Sequence, residues 1–337
     1  MSPALPDPWS RAEAHWVAAG PERVEFTPGL AVAHRGGGGM TGPVRAFVIG
    51  EALIDVIVRP DGTDEVPGGS PANVARGLAR LGVPTALLTR IGDDDRGRLL
   101  LAHLASAGVD VLPASIDCGR TATATATVDA AGDASYAFDI DWDIDPAAIP
   151  DEATVVHTGS IAAFLEPGAG KVRALLRDLR GRATLTFDPN VRPAVLGADP
   201  VPARVTFEAV ASLVDVVKLS AEDAHWLYPG RTLDAVAEHI VDAGPRLVAV
   251  TRGAAGSTLH VPGHTVRIRA AAVNVVDTVG AGDSYMAGLI LGLLETPPAA
   301  LHRLGALAAA AAAYTVSHRG AELPRYRDVA AHTSEAS

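Results

Sequence analysis

Val276-Asp277-Thr278-Val279-Gly280-Ala281-Gly282-Asp283 runs directly into an apolar stretch, Tyr285 to Leu294. The apolar stretch reads as a helix beginning at about Gly282, and the first turn of a helix leaves backbone N–H groups without intrahelical partners. Those donors, with the positive end of the helix dipole, point at whatever sits in the turn. Glycine on either side of Ala281 lets the backbone approach an anion without a Cβ in the way. If anion binding were all, the adjoining carboxylate would only repel the ligand. It fits if the carboxylate takes a proton from a hydroxyl about to attack a bound phosphate. On that reading the protein is a phosphoryl transferase with Asp283 as its base. A tight turn with an acid in the first helical turn would look much the same, and Gly280 to Asp283 alone do not separate the two.

The chain has 337 residues, 48% of them hydrophobic, enough to bury a large core in one α/β domain or two modest ones. A net charge of −11 and the lack of any basic run argue against a nucleic-acid partner, which needs clustered Lys and Arg. The one cysteine, Cys118, rules out an internal disulfide and fits a reducing cytoplasm. No apolar run reaches the roughly 18 residues that span a bilayer, and no charged-then-apolar leader opens the chain. A soluble, cytoplasmic protein without a membrane partner is expected. Residues 1–43 differ from the rest, with prolines at 3, 6, 8, 21 and 28 and then Arg35-Gly36-Gly37-Gly38-Gly39-Met40. They read as a flexible extension ahead of one domain over 44–330. Met40, just before the first strand, is a candidate start; a native mass beginning at Met1 would sink that hypothesis.

From Val44 onward strands and helices alternate. Ala46 to Ile49 is a buried strand by length and flanks, Pro71 to Leu81 has helical spacing with Ser70 as N-cap, and Thr85 to Gly92 reads as the next strand. Asp95 to Ala107 follows as a helix closed by Gly108. Val155-Val156-His157, Thr184 to Asp188, Val214 to Leu219 and Leu247 to Thr251 are further short strands. Repeated β–α units predict a parallel sheet covered by helices on both faces. Thr121 to Val128 and Ser135 to Ile140 instead alternate with period two about the turn Asp129 to Asp133, which predicts a β-hairpin. It reads as part of a small accessory sheet, a lid built from about 55–67 and 110–142 that could cover a substrate and exclude water. The open face of such a lid predicts pairing of two copies through it.

Four further strings carry chemistry. Pro67-Gly68-Gly69-Ser70-Pro71-Ala72-Asn73 offers close backbone approach at Gly68 and Gly69, and an amide at Asn73 that suits vicinal hydroxyls. Asp55 closes Gly50-Glu51-Ala52-Leu53-Ile54-Asp55, read as the end of the first strand. Asp188-Pro189-Asn190-Val191-Arg192-Pro193 stops a strand and leaves polar groups at the sheet's carboxyl edge, where ligands gather in open α/β sheets. Arg192 there either contacts phosphate or the lid, or forms a surface ion pair. Lys218-Leu219-Ser220-Ala221-Glu222-Asp223 is either part of a ligand site or an N-cap with acidic first-turn residues. No Gly-x4-Gly-Lys-Ser/Thr string exists, and no His or Cys set has zinc spacing.

Together these strings resemble the ribokinase-like (PfkB) carbohydrate kinases, and D-P-N-V-R-P with Asp141-Trp142-Asp143 resembles the fructokinase-like members. The resemblance covers roughly Val44 to Pro324. It implies a mostly parallel sheet sandwiched by helices with a small β-sheet lid, and ATP-dependent phosphorylation of a free sugar. It makes Asp283 the base and Gly280, Ala281 and Gly282 the anion hole, with Asp55, Gly68, Gly69, Asn73 and Arg192 on the sugar. It puts Lys218, Ser220 and the turn Thr251-Arg252-Gly253-Ala254-Ala255-Gly256, through Thr251, Gly253 and Gly256, beside ATP. Where the family carries Asn and Glu for its Mg²⁺–water network, this chain has Ser220 and Asp223 with Glu222 adjacent, so either carboxylate could organise Mg²⁺. Asp277 could serve a monovalent cation such as K⁺. D-fructose, giving fructose 6-phosphate, is the expected substrate, with ribose, 2-keto-3-deoxygluconate or a nucleoside as alternatives. A nucleoside would want an aromatic platform, and aromatics are 4% of the chain. A catalytically silent sugar-binding protein of the same fold has no use for Asp283 beside an anion hole. A dehydrogenase would need G-x-G-x-x-G where Gly50-Glu51-Ala52-Leu53 stands.

Overall fold

A short apolar run that ends in glycine becomes β1 (Ala46–Ile49), buried at all four positions. It belongs to a computed structural model that describes residues 45–128, 134–146, 153–295 and 300–333. Next come β2 (Leu53–Arg59), β3 (Gly62–Gly68), α1 (Ser70–Arg80), β4 (Thr85–Leu88), β5 (Ile91–Gly92), α2 (Asp95–Ala107), β6 (Asp110–Val111) and β7 (Ile116–Asp117). The middle of the chain supplies β8 (Thr123–Val128), β9 (Ala134–Asp139), β10 (Val155–Gly159), α3 (Gly168–Leu179), β11 (Thr184–Asp188), α4 (Pro193–Leu196) and α5 (Pro200–Ala211). The last third holds β12 (Val216–Ser220), α6 (Ala221–Leu227), α7 (Leu233–Asp242), β13 (Leu247–Thr251), β14 (Ser257–Val261) and β15 (His264–Ile268). It ends with α8 (Ala281–Glu295), α9 (Leu301–Val316) and α10 (Tyr326–Thr333).

Nine strands form the main sheet in the order β15-β14-β13-β12-β11-β10-β1-β4-β6, parallel from β6 to β13 and antiparallel at β14 and β15. Alternation along each strand sends its side chains into two cores. Val48, Leu87 and Val216 pack with α1, α2, α8 and α9 on one face. Phe47, Ile49, Phe187, Val217 and Leu219 pack with α3, α5, α6 and α7 on the other. The chain leaves β1 toward β4 on one side and returns to β10 on the other, so the strand order switches direction between β1 and β10. Crevices at the carboxyl ends of strands flanking such a switch are where α/β sheets take ligands. Among the described residues, no helix is long and apolar enough to cross a membrane.

The expected accessory sheet is present, in the order β3-β2-β8-β9. Its limits differ from the expected 110–142. Asp110–Val111 pairs with β4 at the edge of the main sheet and Ile116–Asp117 pairs with β5, so the second lid segment is Thr123–Asp139. Asp55 does not end the first strand; β1 stops at Ile49 and Asp55 lies inside β2, in the lid. Ile54 and Val56 point from β2 into the core, while register places Asp55 and Ile57 on the opposite face with Val66, Phe138 and Tyr136. The expected turn Asp129 to Asp133 and the extension 1–43 lie outside the described residues. The helix expected over Asp95 to Ala107 is as read, capped by Asp94, whose side chain accepts from Gly97 N, and closed by Gly108 in the left-handed region.

Candidate active site

The helix start at Gly280 to Asp283 sits at the carboxyl edge of the main sheet, against Lys218 of β12. Gly280 has φ +75°, and a Cβ there would lie 2.7 Å from the Ala321 Cβ, so only glycine makes this turn against the 320–321 segment. The N–H groups of Gly280 and Gly282 have no acceptor among the described residues, as an anion hole requires. Ala281 departs from expectation: its N–H donates to Thr278 O at 3.2 Å and closes the turn instead. Asp277 anchors the same turn, with Oδ1 accepting from Val279 N at 3.0 Å and Oδ2 from Gly320 N at 2.9 Å. Those backbone bonds hold its carboxyl below the usual range.

Asp283, 7% exposed, is where two distant motifs meet. Its Oδ1 accepts from Ser70 Oγ at 2.7 Å and its Oδ2 from Asn73 Nδ2 at 2.9 Å. Ser70 is therefore not the N-cap of α1. Gly69, at φ 100°, holds that position, and the Ser70 hydroxyl is turned to the carboxylate 213 residues away. Burial pushes Asp283 above the ordinary carboxylate range, while the bonds from Ser70 and Asn73 and the charges of Lys218 and Arg192 pull it back. Asp55 lies against Gly68, whose missing Cβ leaves room for its carboxylate. Partial burial raises Asp55, Arg192 lowers it and Asp283 raises it, so the three charges lie close enough to act on one another.

Arg192 follows Asn190, held at φ 34°, in the turn after β11. Its Nη1 donates to Asn190 Oδ1 at 2.7 Å, Asn190 O at 3.0 Å and Val191 O at 3.2 Å. No carboxylate among the described residues pairs with it, so the surface ion pair is set aside, and its charge is felt at Glu51, Asp55 and Asp283. Ser220 and Asp223 form a capping box at the start of α6, and Asp223 Oδ1 also accepts from Val191 N at 2.8 Å. Asp223 thus ties the start of α6 to the turn after β11. Glu222 beside it is exposed and makes no bond among the described residues. Thr251 ends β13 opposite Ser220, and Gly253 and Gly256 shape the turn that follows.

Lys218, expected beside the nucleotide, is buried and paired. It is 3% exposed on the face toward α8, and its Nζ donates to Asp188 Oδ2 at 2.7 Å. Sequence reasoning also passed over Glu51, which is 2% exposed at the end of β1. Its Oε2 accepts from Ala162 N at 2.9 Å, it is bonded by the Ser160 side chain, and burial lifts it to about 7. The visible signal was a carboxylate directly after an apolar strand. A cavity of about 500 Å³ lined by Thr89, Arg90, Asp117, Asp141 and Lys171 holds none of the expected site residues.

Residues 45–326 match the model of the pfkB family of carbohydrate kinases. A fructokinase of Rhizobium leguminosarum bv. trifolii is 35% identical over 257 residues, covering 72% of this chain and 78% of that protein. The solved structure of an uncharacterized sugar kinase, PH1459 of Pyrococcus horikoshii, in complex with ATP superposes with a TM-score of 0.72. It is 28% identical and the match covers 86% of this chain and 99% of that one. A double mutant of the Vibrio cholerae O395 fructokinase, in its fructose-, ADP- and potassium-bound form, gives a TM-score of 0.74 at 26% identity, over 87% of this chain and 100% of that one. With a buried carboxylate at an open helix start, a lid over it and these likenesses along nearly the whole described domain, the chain belongs to the pfkB family of carbohydrate kinases, as a fructokinase-type sugar kinase.

Proposed function

We propose that this kinase transfers the γ-phosphoryl group of ATP to the primary hydroxyl of D-fructose, giving fructose 6-phosphate. The observation that carries it is Asp283, buried at the helix start, oriented on both oxygens by Ser70 and Asn73 and facing Asp55 and Arg192 across the cleft. The sugar sits between Asn73 and the lid, where Asp55 accepts from its hydroxyls and Gly68 and Gly69 allow close approach. Asp283 accepts the proton of the attacking hydroxyl and keeps it after transfer. The N–H groups of Gly280 and Gly282 stabilise charge on the group in transit, and Arg192 adds a cation from the far side. Ser220, Thr251, Gly253 and Gly256 line the nucleotide side. Glu222 would hold a water of the Mg²⁺ that comes with the nucleotide, an ion that would neutralise and orient the phosphates. Both Asp277 oxygens retain lone pairs beyond their N–H bonds, and the potassium-bound relative supports a monovalent cation beside it. The fructokinase relatives and the fructose-bound neighbour support fructose as acceptor. Val66 and Tyr136, exposed on the lid face that carries Asp55, support pairing of two copies through the lid.

The test is ADP release from Mg-ATP across free sugars and nucleosides, with Asp283→Asn as control. Turnover with fructose that is lost in the control is the expected result. Preference for ribose, 2-keto-3-deoxygluconate or a nucleoside would move the substrate, and no turnover with any acceptor would overturn the reaction.

A further inference from the structure

The Asp188–Lys218 pair sits behind the anion turn rather than in the cleft. Lys218 Nζ lies 3.0 Å from the place a Cβ on Gly282 would take. Gly282 does not have the positive φ of Gly280, so its backbone alone does not demand glycine; a side chain there would instead press on the ammonium. The same ammonium is felt by three carboxylates, Asp188, Asp223 and Asp283. A buried ion pair adds little to stability over an apolar pair of the same size. What it does supply is a positive charge that cannot swing away, unlike the exposed guanidinium of Arg192.

We propose that Lys218, seated by Asp188 in the space left by Gly282, is the fixed cation of the transfer site, a positioning residue acting through Asp283 and the anion turn. This rests on the kinase reading above. The base of that reaction must be ionised in a site where burial favours the neutral acid, and a cation behind the turn counters the burial. It also reinforces the helix start, which otherwise faces the phosphoryl group with backbone dipoles alone. The charged groups around Asp283 are Asp55 from the lid, Asp188 and Arg192 from the end of β11, and Lys218 from β12; α1 contributes the neutral Ser70 and Asn73.

The test removes both partners together, Lys218→Met with Asp188→Asn, so that no buried charge is stranded, and reads the result against Asp188→Asn alone, because loss of the Asp188 charge by itself pulls Asp283 down. Removing the cation should move the acid limb of kcat/KM to higher pH. The loss should be several-fold greater at about pH 5.5 than at about pH 8.5, with the KM for sugar little changed. Carboxyl ¹³C titration of Asp283 in aspartate-labelled protein, assigned with Asp283→Asn, should show the same upward displacement without any turnover. A protein with no sugar-dependent turnover but a displaced titration would sink the kinase reading and keep the electrostatic one. An unmoved titration, or a rate loss equal at every pH, overturns the proposal. If the double variant does not fold, Lys218→Gln decides: it keeps a donor for Asp188 without the charge and must move the Asp283 titration upward too, and an unmoved one is equally fatal.

Discussion

Replacing Glu51 by glutamine should change how the stability of this protein depends on pH. Glu51 is 2% exposed, and burial lifts it from an ordinary 4.5 to about 7 against the bonds from Ser160 and Ala162 and the charge of Arg192. The folded chain therefore holds the Glu51 proton more tightly than the unfolded chain does. The stability this confers is fully present below 4.5 and is lost as pH rises to about 7, where the fold must carry a buried carboxylate. The shift corresponds to about 3 kcal/mol, a sizeable share of a typical folding free energy of about 5–15 kcal/mol. Glutamine keeps the side-chain length and an oxygen that can accept from Ala162 N, and it has no charge to bury. Urea unfolding followed by far-UV circular dichroism should give similar stabilities for wild type and Glu51→Gln near about pH 4.5. By about pH 8 the variant should be ahead by up to about 3 kcal/mol. Parallel stability curves across that range would refute the reasoning, because they would mean that Glu51 titrates alike in the folded and unfolded chains.

Asp283→Asn should lower kcat by about 10²–10⁴-fold while fructose still binds by calorimetry, since the amide oxygen can accept from Asn73 and Ser70 can turn to accept from the amide nitrogen. Near-normal turnover would remove Asp283 from the role of base. Ser70→Ala removes one of the bonds that favour the ionised form of Asp283, so the acid limb of kcat/KM should move to higher pH; an unmoved limb would make that bond incidental. Gly280→Ala forces a side chain into the left-handed region and toward Ala321. That should destabilise the protein by about 1–2 kcal/mol in thermal melts and raise the KM for ATP, and an unaltered melt would contradict the turn geometry.

Much of this molecule shows in its residues where the cause is local. The helix Asp95–Ala107 is bounded by Asp94 and Gly108, two capping residues that act within their own turn. The lid hairpin announces itself through period-two alternation over Thr123 to Val128. Its lower limit was set too early because a two-residue strand such as Asp110–Val111 carries no period, and only its pairing with β4 assigns it. Ser70 looks like a helix cap because serine before proline at a helix start is one locally, and a bond across 213 residues overrides that. Lys218 and Asp223 were read as ligand-facing because a charged residue at the end of an apolar strand looks the same whether it meets solvent, ligand or a buried partner. Which of these it meets depends on Asp188, Val191 and Gly282, residues on other elements.

The bonds from Ser70 and Asn73 to Asp283 also bear on how the enzyme is made. The two donors leave the ribosome more than two hundred residues before their acceptor. A nascent chain can lay down β1, the lid and the strands as far as β15 while the site still lacks its carboxylate. Contacts of such long sequence separation close late, after the loop entropy between them has been overcome. Catalytic competence therefore reports on completed synthesis. On the proposed mechanism, a chain that stalls or is clipped before α8 docks against α1 lacks the base and leaves ATP untouched while still being built.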